Sequence, residues 1–249
     1  MEETRNKRKI VLTVVLVLAL IAAAIAGTYA WLTAQDSAKN TFTVGEFNEP
    51  SVKPDPDKPD EPGSDPSVDG FLTETKWVNF SKVYQGAEIA KNPNVGIGAG
   101  SDDAYVFVYV DNNTQASDSD IATNAPYFFL NEGWEAVEAD SIAVGEDQTA
   151  YTGGLFVYKG GTEPNSHIFK ASENADDYTG EVFSQVIVPE DAVLDKYAEK
   201  PTMDVFAYLY SVQYTDVAQS TPATSGEGSY TAAVEAAKLW DDTCAISWS

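Results

Sequence analysis

The chain has 249 residues, 43% of them hydrophobic, and its 15 Lys and Arg are outnumbered by 39 Asp and Glu. A net charge of −24 repels phosphate backbones and anionic lipid, so the composition argues against a nucleic-acid-binding protein. The single cysteine, Cys244, excludes a disulfide within the chain, and we predict that it is a small buried side chain near the last strand.

Residues 1–30 have the pattern of a secretory signal peptide. Four basic residues precede the apolar run at 10–26, and small residues then lead to Ala30. A signal peptidase could cut just after this run or between Ala30 and Trp31. A largely apolar run of seventeen residues is close to the minimum that crosses a bilayer, so a retained membrane anchor is the alternative. In either case we expect a secreted or cell-surface protein that contacts the membrane only through this segment.

The residues after the signal predict a short strand. Phe42 and Val44 alternate with Thr41 and Thr43, as in a half-buried strand. A lone strand leaves backbone donors and acceptors unpaired, so it should add to a sheet edge of its own domain or of a neighbouring molecule. We therefore predict a donor-strand segment over residues 31–47. A donor strand is a strand that completes the sheet of a separate folded unit. Its predicted strand residues are Thr41, Phe42, Thr43, Val44 and Phe47, and disorder of this stretch is the alternative.

Residues 48–69 are rich in proline and acids. Six prolines alternate with aspartate and glutamate, and proline at this density disfavours both helix and inner strand. We predict an extended, solvated linker, which could reach roughly 60 Å at about 3.1 Å per residue.

Residues 70–249 have the pattern of an all-β domain. Apolar runs predict strands at 105–110, 155–158, 181–188 and 205–212, with weaker candidates at 76–80, 126–130, 134–138, 166–169 and 243–248. Glycine pairs at 153–154 and 160–161 predict turns. The pattern favours an antiparallel β-sandwich. Two short helices, at 190–200 and at 230–240 with Ser229 as its N-cap, should pack on the edge of the sandwich.

Catalytic machinery is not evident in the sequence. His167 is the only histidine, whereas catalytic zinc sites use two or three, so we predict a surface or strand-edge histidine and no enzyme. Clusters that contain acids, at 102–103, 111–113 and 118–120, could supply oxygen ligands for Ca²⁺, but none follows the EF-hand pattern. We expect solvated loop acids and no cofactor, with Ca²⁺ as the alternative. The sequon at 112–114 is interpreted as a turn, and the glycines at 96–100 as a loop before a strand.

Two stretches resemble the TasA/camelysin family of exported Gram-positive proteins. The first is GTYAWLT followed by DSAKNTFTVG, within residues 27–45, and the second comprises residues 86–95 and 101–108. The resemblance implies cleavage between Ala30 and Trp31 by a SipW-type signal peptidase, a jelly-roll sandwich, and an N-terminal strand that completes the sheet of the next subunit. Some relatives are classed as metallopeptidases, which is the least favoured function here because the histidine ligands are missing.

The sequence thus favours a secreted structural subunit of extracellular biofilm-matrix fibres. Its partners would be further copies of itself, other matrix components and the signal peptidase during export. A monomeric cell-surface binding or adhesion module, displayed on a Pro/Asp-rich stalk, is the alternative.

Overall fold

The computed structural model describes residues 30–31, 42–44, 46–66, 70–76, 82–115, 124–145, 148–160, 166–212, 214–216, 221–222 and 227–238. Within these ranges, no helix combines the length and the apolar character that a membrane crossing requires. Residues 1–29 of the predicted signal segment, Cys244 and the acids at 118–120 lie outside the described residues, as does the strand predicted at 243–248.

The described residues form sixteen strands and one α-helix. In chain order they are β1 (Ala30–Trp31), β2 (Phe42–Val44), β3 (Val52–Asp55), β4 (Lys58–Pro66), β5 (Leu72–Glu74), β6 (Lys82–Val83), β7 (Glu88–Ala90), β8 (Pro93–Ile97), β9 (Ala104–Gln115), β10 (Trp134–Val144), β11 (Gln148–Tyr158), β12 (Asp177–Glu181), β13 (Gln185–Ile187), β14 (Tyr197–Ser211), β15 (Tyr214–Asp216), β16 (Thr221–Pro222) and α1 (Glu227–Lys238).

Two β layers enclose the main core. The larger is a five-stranded sheet in the order β10-β11-β9-β14-β2, which is antiparallel except that β2 runs parallel to β14. The other layer contains the sheet β12-β8-β5 and the pair β13-β7. Side chains such as Val106, Phe156 and Leu209 from the large sheet pack with Ile97 and Phe183, and all five are completely buried. The predicted all-β antiparallel sandwich with a peripheral helix is therefore confirmed.

Helix α1 covers the outer face of the large sheet. Its Ala233 and Ala237 are buried against Tyr105, Phe107 and neighbouring side chains of this face. Strands β9 and β14 are consequently buried on both faces, which explains why their sequences are continuous apolar runs rather than alternating ones. The predicted second helix is confirmed, but it packs on the outer face of the large sheet and not on the edge of the sandwich. It begins at Glu227, before Ser229, so Ser229 is not its N-cap.

Strand β10 forms one edge of the large sheet. Its residues alternate between half-buried and exposed, and Glu138 and Asp140 point to solvent. The ladder with β11 shifts register twice, between Ala136 and Glu138 and between Asp140 and Ser141. Bulges and exposed acids are features that discourage a further strand from adding to an edge.

The predicted linker is wrong for residues 48–66. Strands β3 and β4 form an antiparallel hairpin with the two-residue turn Pro56–Asp57, and β4 lies against β12. Pro54 is buried, so the segment packs on the sandwich and is not solvated throughout. Proline is tolerated because a two-stranded hairpin consists of edge strands, in which the missing N–H can face away from the partner.

Several smaller predictions are also wrong. No helix forms over residues 190–200, where a short 3-10 helix at Leu194–Lys196 leads directly into β14. The sequon at 112–114 lies inside β9 and is not a turn. Gly154 lies inside β11 opposite Ala139, where φ is +121° and a Cβ atom would come within 2.4 Å of the Ala139 Cα atom. The predicted strand at 181–188 is divided between β12 and β13.

Candidate functional site

The candidate site is the edge of the large sheet at β14, where the N-terminal strand β2 is added. Phe42 lies opposite Tyr208, Thr43 opposite Leu209 and Val44 opposite Tyr210. The acceptor residues are part of the folded body, since β14 pairs on its other side with β9 over most of its length. Tyr208 and Tyr210 belong to the helix-covered face, whereas Leu209 belongs to the main core.

The two residues on either side of the predicted cleavage point also lie in a strand pair. Ala30 is opposite Val83 and Trp31 is opposite Lys82, so β1 pairs with β6. Strand β1 lies against β14 as well. The described parts of the N-terminal segment therefore follow the same side of the folded body.

Immediately after β2, the chain is fixed to the body through Asp102. The Glu46 N–H donates to Asp102 Oδ2 at 3.1 Å, and the Asp102 N–H donates to the Glu46 carbonyl at 2.9 Å. The Ser211 hydroxyl at the end of β14 donates to the same Oδ2 atom at 3.0 Å. Asp102 thus connects Glu46, two residues after the N-terminal strand, with the end of the acceptor strand.

Asn48 continues this attachment. Its N–H donates to Ser101 Oγ at 3.0 Å, its side-chain amide donates to the Ala99 carbonyl at 2.8 Å, and its carbonyl accepts from the Gly98 N–H at 2.7 Å. A side chain at Gly98 would not fit, because its Cβ atom would lie 2.4 Å from the Glu49 carbonyl oxygen. The glycine is therefore needed for this close approach of two backbones.

Asp176 holds the beginning of the hairpin. Its carboxylate accepts from the Ser51 N–H and hydroxyl, both at 2.7 Å, from the Val52 N–H at 3.1 Å and from the Ala99 N–H at 3.3 Å. Burial alone would raise the pKa of Asp176, but these hydrogen bonds favour the charged form and hold the pKa below its usual value. The Tyr178 hydroxyl also donates to the Val52 carbonyl. Nothing in the sequence pairs Asp176 with residues more than a hundred positions away.

The structure separates the predicted donor-strand residues. Phe42, Thr43 and Val44 form β2, and Thr41 lies outside the described residues. Phe47 is not in the strand and instead packs against the main core of its own domain, so its assignment to the donor strand is wrong.

His167 connects α1 to the sheet. Its ring stacks on Tyr230 of α1 with 4.0 Å between ring centres, and its Nε2 atom lies 2.7 Å from Glu135 Oε1 on β10. The side chain is only 13% exposed, so the expected surface position is wrong, although the contact with the edge strand β10 is present.

Three of the acids that suggested Ca²⁺ accept hydrogen bonds from protein groups. Asp102 accepts from Glu46 and Ser211 as described, and Asp103 accepts from the Ala171 N–H at 2.9 Å. Asp111 accepts from the side chain of Asn113 at 2.6 Å. Within the part of the chain that the structure describes, no group of three or more His, Cys, Asp or Glu is placed to hold a metal ion.

A polar groove of about 510 Å³ lies between the hairpin and the body. Asp60 of β4 faces the ends of β11 and β12 across it, and the lining also includes Glu132, Tyr158 and Lys159. Burial and the nearby Asp60 carboxylate raise the pKa of Tyr158, so its hydroxyl stays protonated and can donate. These groups can form hydrogen bonds with hydroxyl or amine groups of a ligand.

Comparison with known proteins gives no relative. No family model matches the chain, and no curated protein or solved structure matches it either. A functional conclusion therefore depends on the geometry and on the resemblance carried by residues 27–45, 86–95 and 101–108.

Proposed function

We propose that this protein is a secreted structural subunit of extracellular biofilm-matrix fibres, in which the N-terminal strand of one copy adds to β14 of the next. The observation that carries the proposal is that β2 is a separate edge strand, parallel to β14, added to a sandwich built from later residues. The resemblance of residues 27–45 to the TasA/camelysin family supports the same function.

Pairing within one chain and pairing between chains use the same backbone groups. Every copy carries the same edge at Tyr208–Tyr210 and the same strand at Phe42–Val44, so a strand that leaves its own edge can fill the identical edge of a neighbour. Such a contact is heterologous, because strand and edge are different surfaces, and heterologous contacts form open filaments when the rotation does not close.

The proposal requires no catalysis and no cofactor. The signal peptidase would act during export and leave Trp31 as the first residue, and other matrix components would bind the assembled fibre. A peptidase function has the least support, since the only histidine is already in contact with Glu135 and Tyr230.

Deletion of residues 31–44 tests the proposal. We expect the secreted wild-type protein to form filaments visible by negative-stain electron microscopy and the deletion variant to remain monomeric. A synthetic peptide of residues 31–45 should bind the deletion variant and, in excess, shorten wild-type filaments. Unchanged filaments from the deletion variant would contradict the proposal.

A disulfide trap distinguishes pairing within a chain from pairing between chains. Thr43 and Leu209 are opposite each other in register, and neighbouring strands lie about 4.8 Å apart, which is within the range that a disulfide spans. In a Cys244→Ser background, Thr43→Cys with Leu209→Cys should give a ladder of linked chains on a non-reducing gel. Each single cysteine variant is the matched control and should give no ladder beyond a dimer. A monomer that is linked only internally would place the strand permanently on its own domain.

The polar groove favours the alternative of a cell-surface binding module. Residues 48–66 form a hairpin on the body, so such a module would lack the predicted stalk. Mass spectrometry of the exported protein tests this alternative, because a retained anchor requires intact residues 1–30.

A further inference from the structure

We infer that residues 46–52 form a fixed clamp, here named the N-terminal clamp, which forces neighbouring subunits to stack in direct contact. Asp102 is its positioning residue. The inference rests on the proposed function, and it concerns how the exchanged strand is connected to its own body. A flexible linker over residues 48–69 would give loosely strung subunits, whereas the clamp predicts a stiff filament with a short, regular repeat.

The clamp begins at Glu46, and only Gly45 separates it from the end of β2. The Asp102 N–H donates to the Glu46 carbonyl at 2.9 Å, and the Asp102 carboxylate accepts from the Glu46 N–H at 3.1 Å. Ser211, at the end of β14, donates a hydrogen bond to Asp102. Glu46 is therefore attached at the end of β14, close to Tyr210, the residue opposite Val44. A strand that moves to a neighbour can therefore change its course only upstream of Glu46.

The rest of the clamp makes detachment of a longer segment costly. Asn48 takes part in three hydrogen bonds of 3.0 Å or less to residues 98–101, and Asp176 accepts three from Ser51 and Val52. Phe47, between these attachment points, packs on the main core. Release of the hairpin would break all of these contacts together, so exchange should leave residues 46–66 on their own body.

The connection between the exchanged strand and its body is consequently very short. Val44 and Glu46 are two residues apart, which spans at most about 7 Å. In a filament, Val44 lies beside Tyr210 of the acceptor copy while Glu46 stays on Asp102 of its own copy. Two bodies must then be in contact near the end of β14. Within one chain Val44 also lies beside Tyr210, so the Tyr210 positions of neighbouring copies would be at most roughly 24 Å apart. The subunit repeat along the filament cannot exceed this distance, although a compact chain of this size is roughly 45 Å across.

An insertion series tests this inference. Ten Gly/Ser residues are inserted immediately before Glu46, and the same ten are inserted between Pro56 and Asp57 at the hairpin turn as the matched control. Electron microscopy should give wild-type and control filaments with a regular repeat of no more than roughly 24 Å. The first insertion should still give filaments, but with irregular spacing that is longer by up to roughly 17 Å, the mean reach of ten flexible residues.

Two variants test the role of Asp102. Asp102→Ala removes the carboxylate that Glu46 and Ser211 share, whereas Asp102→Asn keeps an acceptor oxygen. We expect at least tenfold faster hydrogen exchange at the Glu46 amide in Asp102→Ala, together with more strongly bent filaments, and values near wild type in Asp102→Asn. Exchange and filament stiffness unchanged in Asp102→Ala would remove Asp102 from the inference.

The outcomes separate the inference from the proposed function. Wild-type filaments with long, irregular spacing, or an insertion before Glu46 that leaves the spacing unchanged, would overturn the clamp while the strand-exchange proposal stands. An absence of filaments from every variant, with no linked ladder in the disulfide trap, would overturn the proposed function and the inference with it.

Discussion

Replacing Asp176 by alanine should detach the hairpin from the sandwich. The substitution removes an acceptor of four hydrogen bonds at a side chain that is only 8% exposed. Three of its donors belong to Ser51 and Val52, and they would lose a charged partner. Hydrogen bonds to a charged group contribute about 1.5–3 kcal/mol each but are not additive, so we expect a loss of about 3 kcal/mol in the free energy of unfolding.

Urea unfolding at pH 7 measures this loss, and hydrogen exchange locates it. Exchange should accelerate at Ser51 and Val52 and remain unchanged in β9 and β14. The control is Glu173→Ala, which removes the same charge from an exposed position in the preceding turn. A loss below about 0.5 kcal/mol, with the Ser51 and Val52 amides still protected, would refute the view that Asp176 holds the hairpin.

The same contact should depend on pH. The pKa of Asp176 is lower in the folded chain than its usual value of 3.8, so the unfolded chain binds this proton first as the pH falls. The stabilisation is therefore complete at neutral pH and is lost as the pH falls below about 4 through the folded-state pKa. The stability difference between wild type and Asp176→Ala should shrink over this range.

Three further predictions concern single side chains. Glu181 is buried, and hydrogen bonds that outweigh the effect of burial lower its pKa. Glu181→Gln should therefore lower the free energy of unfolding in urea by about 1–3 kcal/mol at pH 7 and by less towards pH 3. Equal losses at both pH values would contradict this. Gly154→Ala should lower the free energy of unfolding by more than about 2 kcal/mol, because the new Cβ atom would overlap β10. The control Gly145→Ala, with open space around it, should cost about 1 kcal/mol. Similar melting temperatures of the two variants would argue against the overlap. His167→Ala should cost about 1–2 kcal/mol and accelerate hydrogen exchange in α1, since the ring that stacks on Tyr230 is lost; unchanged exchange would show that α1 does not need this contact.

The strands that contribute most to the core were predictable from the sequence. The run at 105–110 is apolar at every position because the main core lies on one face of β9 and α1 covers the other. Period-based reasoning identifies such a strand without knowing its neighbours. The face of α1 that contains Ala233 and Ala237 was predictable in the same way, from helical spacing alone.

The hairpin differs from the predicted linker because proline excludes helices and inner strands but not a hairpin of two edge strands. The sequence Asp55-Pro56-Asp57 is also a turn signal, since proline presets the backbone of the second turn position and Asp55 accepts from the Asp57 N–H at 2.8 Å. The attachment through Asp176 had no comparable signal, because it depends on a contact between distant parts of the chain. The helix predicted at 190–200 depends on weak local propensity alone, and from Tyr197 onward the chain belongs to β14, which pairs with β9.

The bulged strand β10 has a consequence for how a fibre would grow. The two edges of the large sheet are unlike: β14 accepts a parallel strand, while β10 carries two register shifts and exposed acids. Lateral fusion of two sheets edge to edge is therefore disfavoured at β10. A filament made by strand addition at β14 would have a vacant edge at one tip and a spare strand at the other, so its two tips should elongate at different rates.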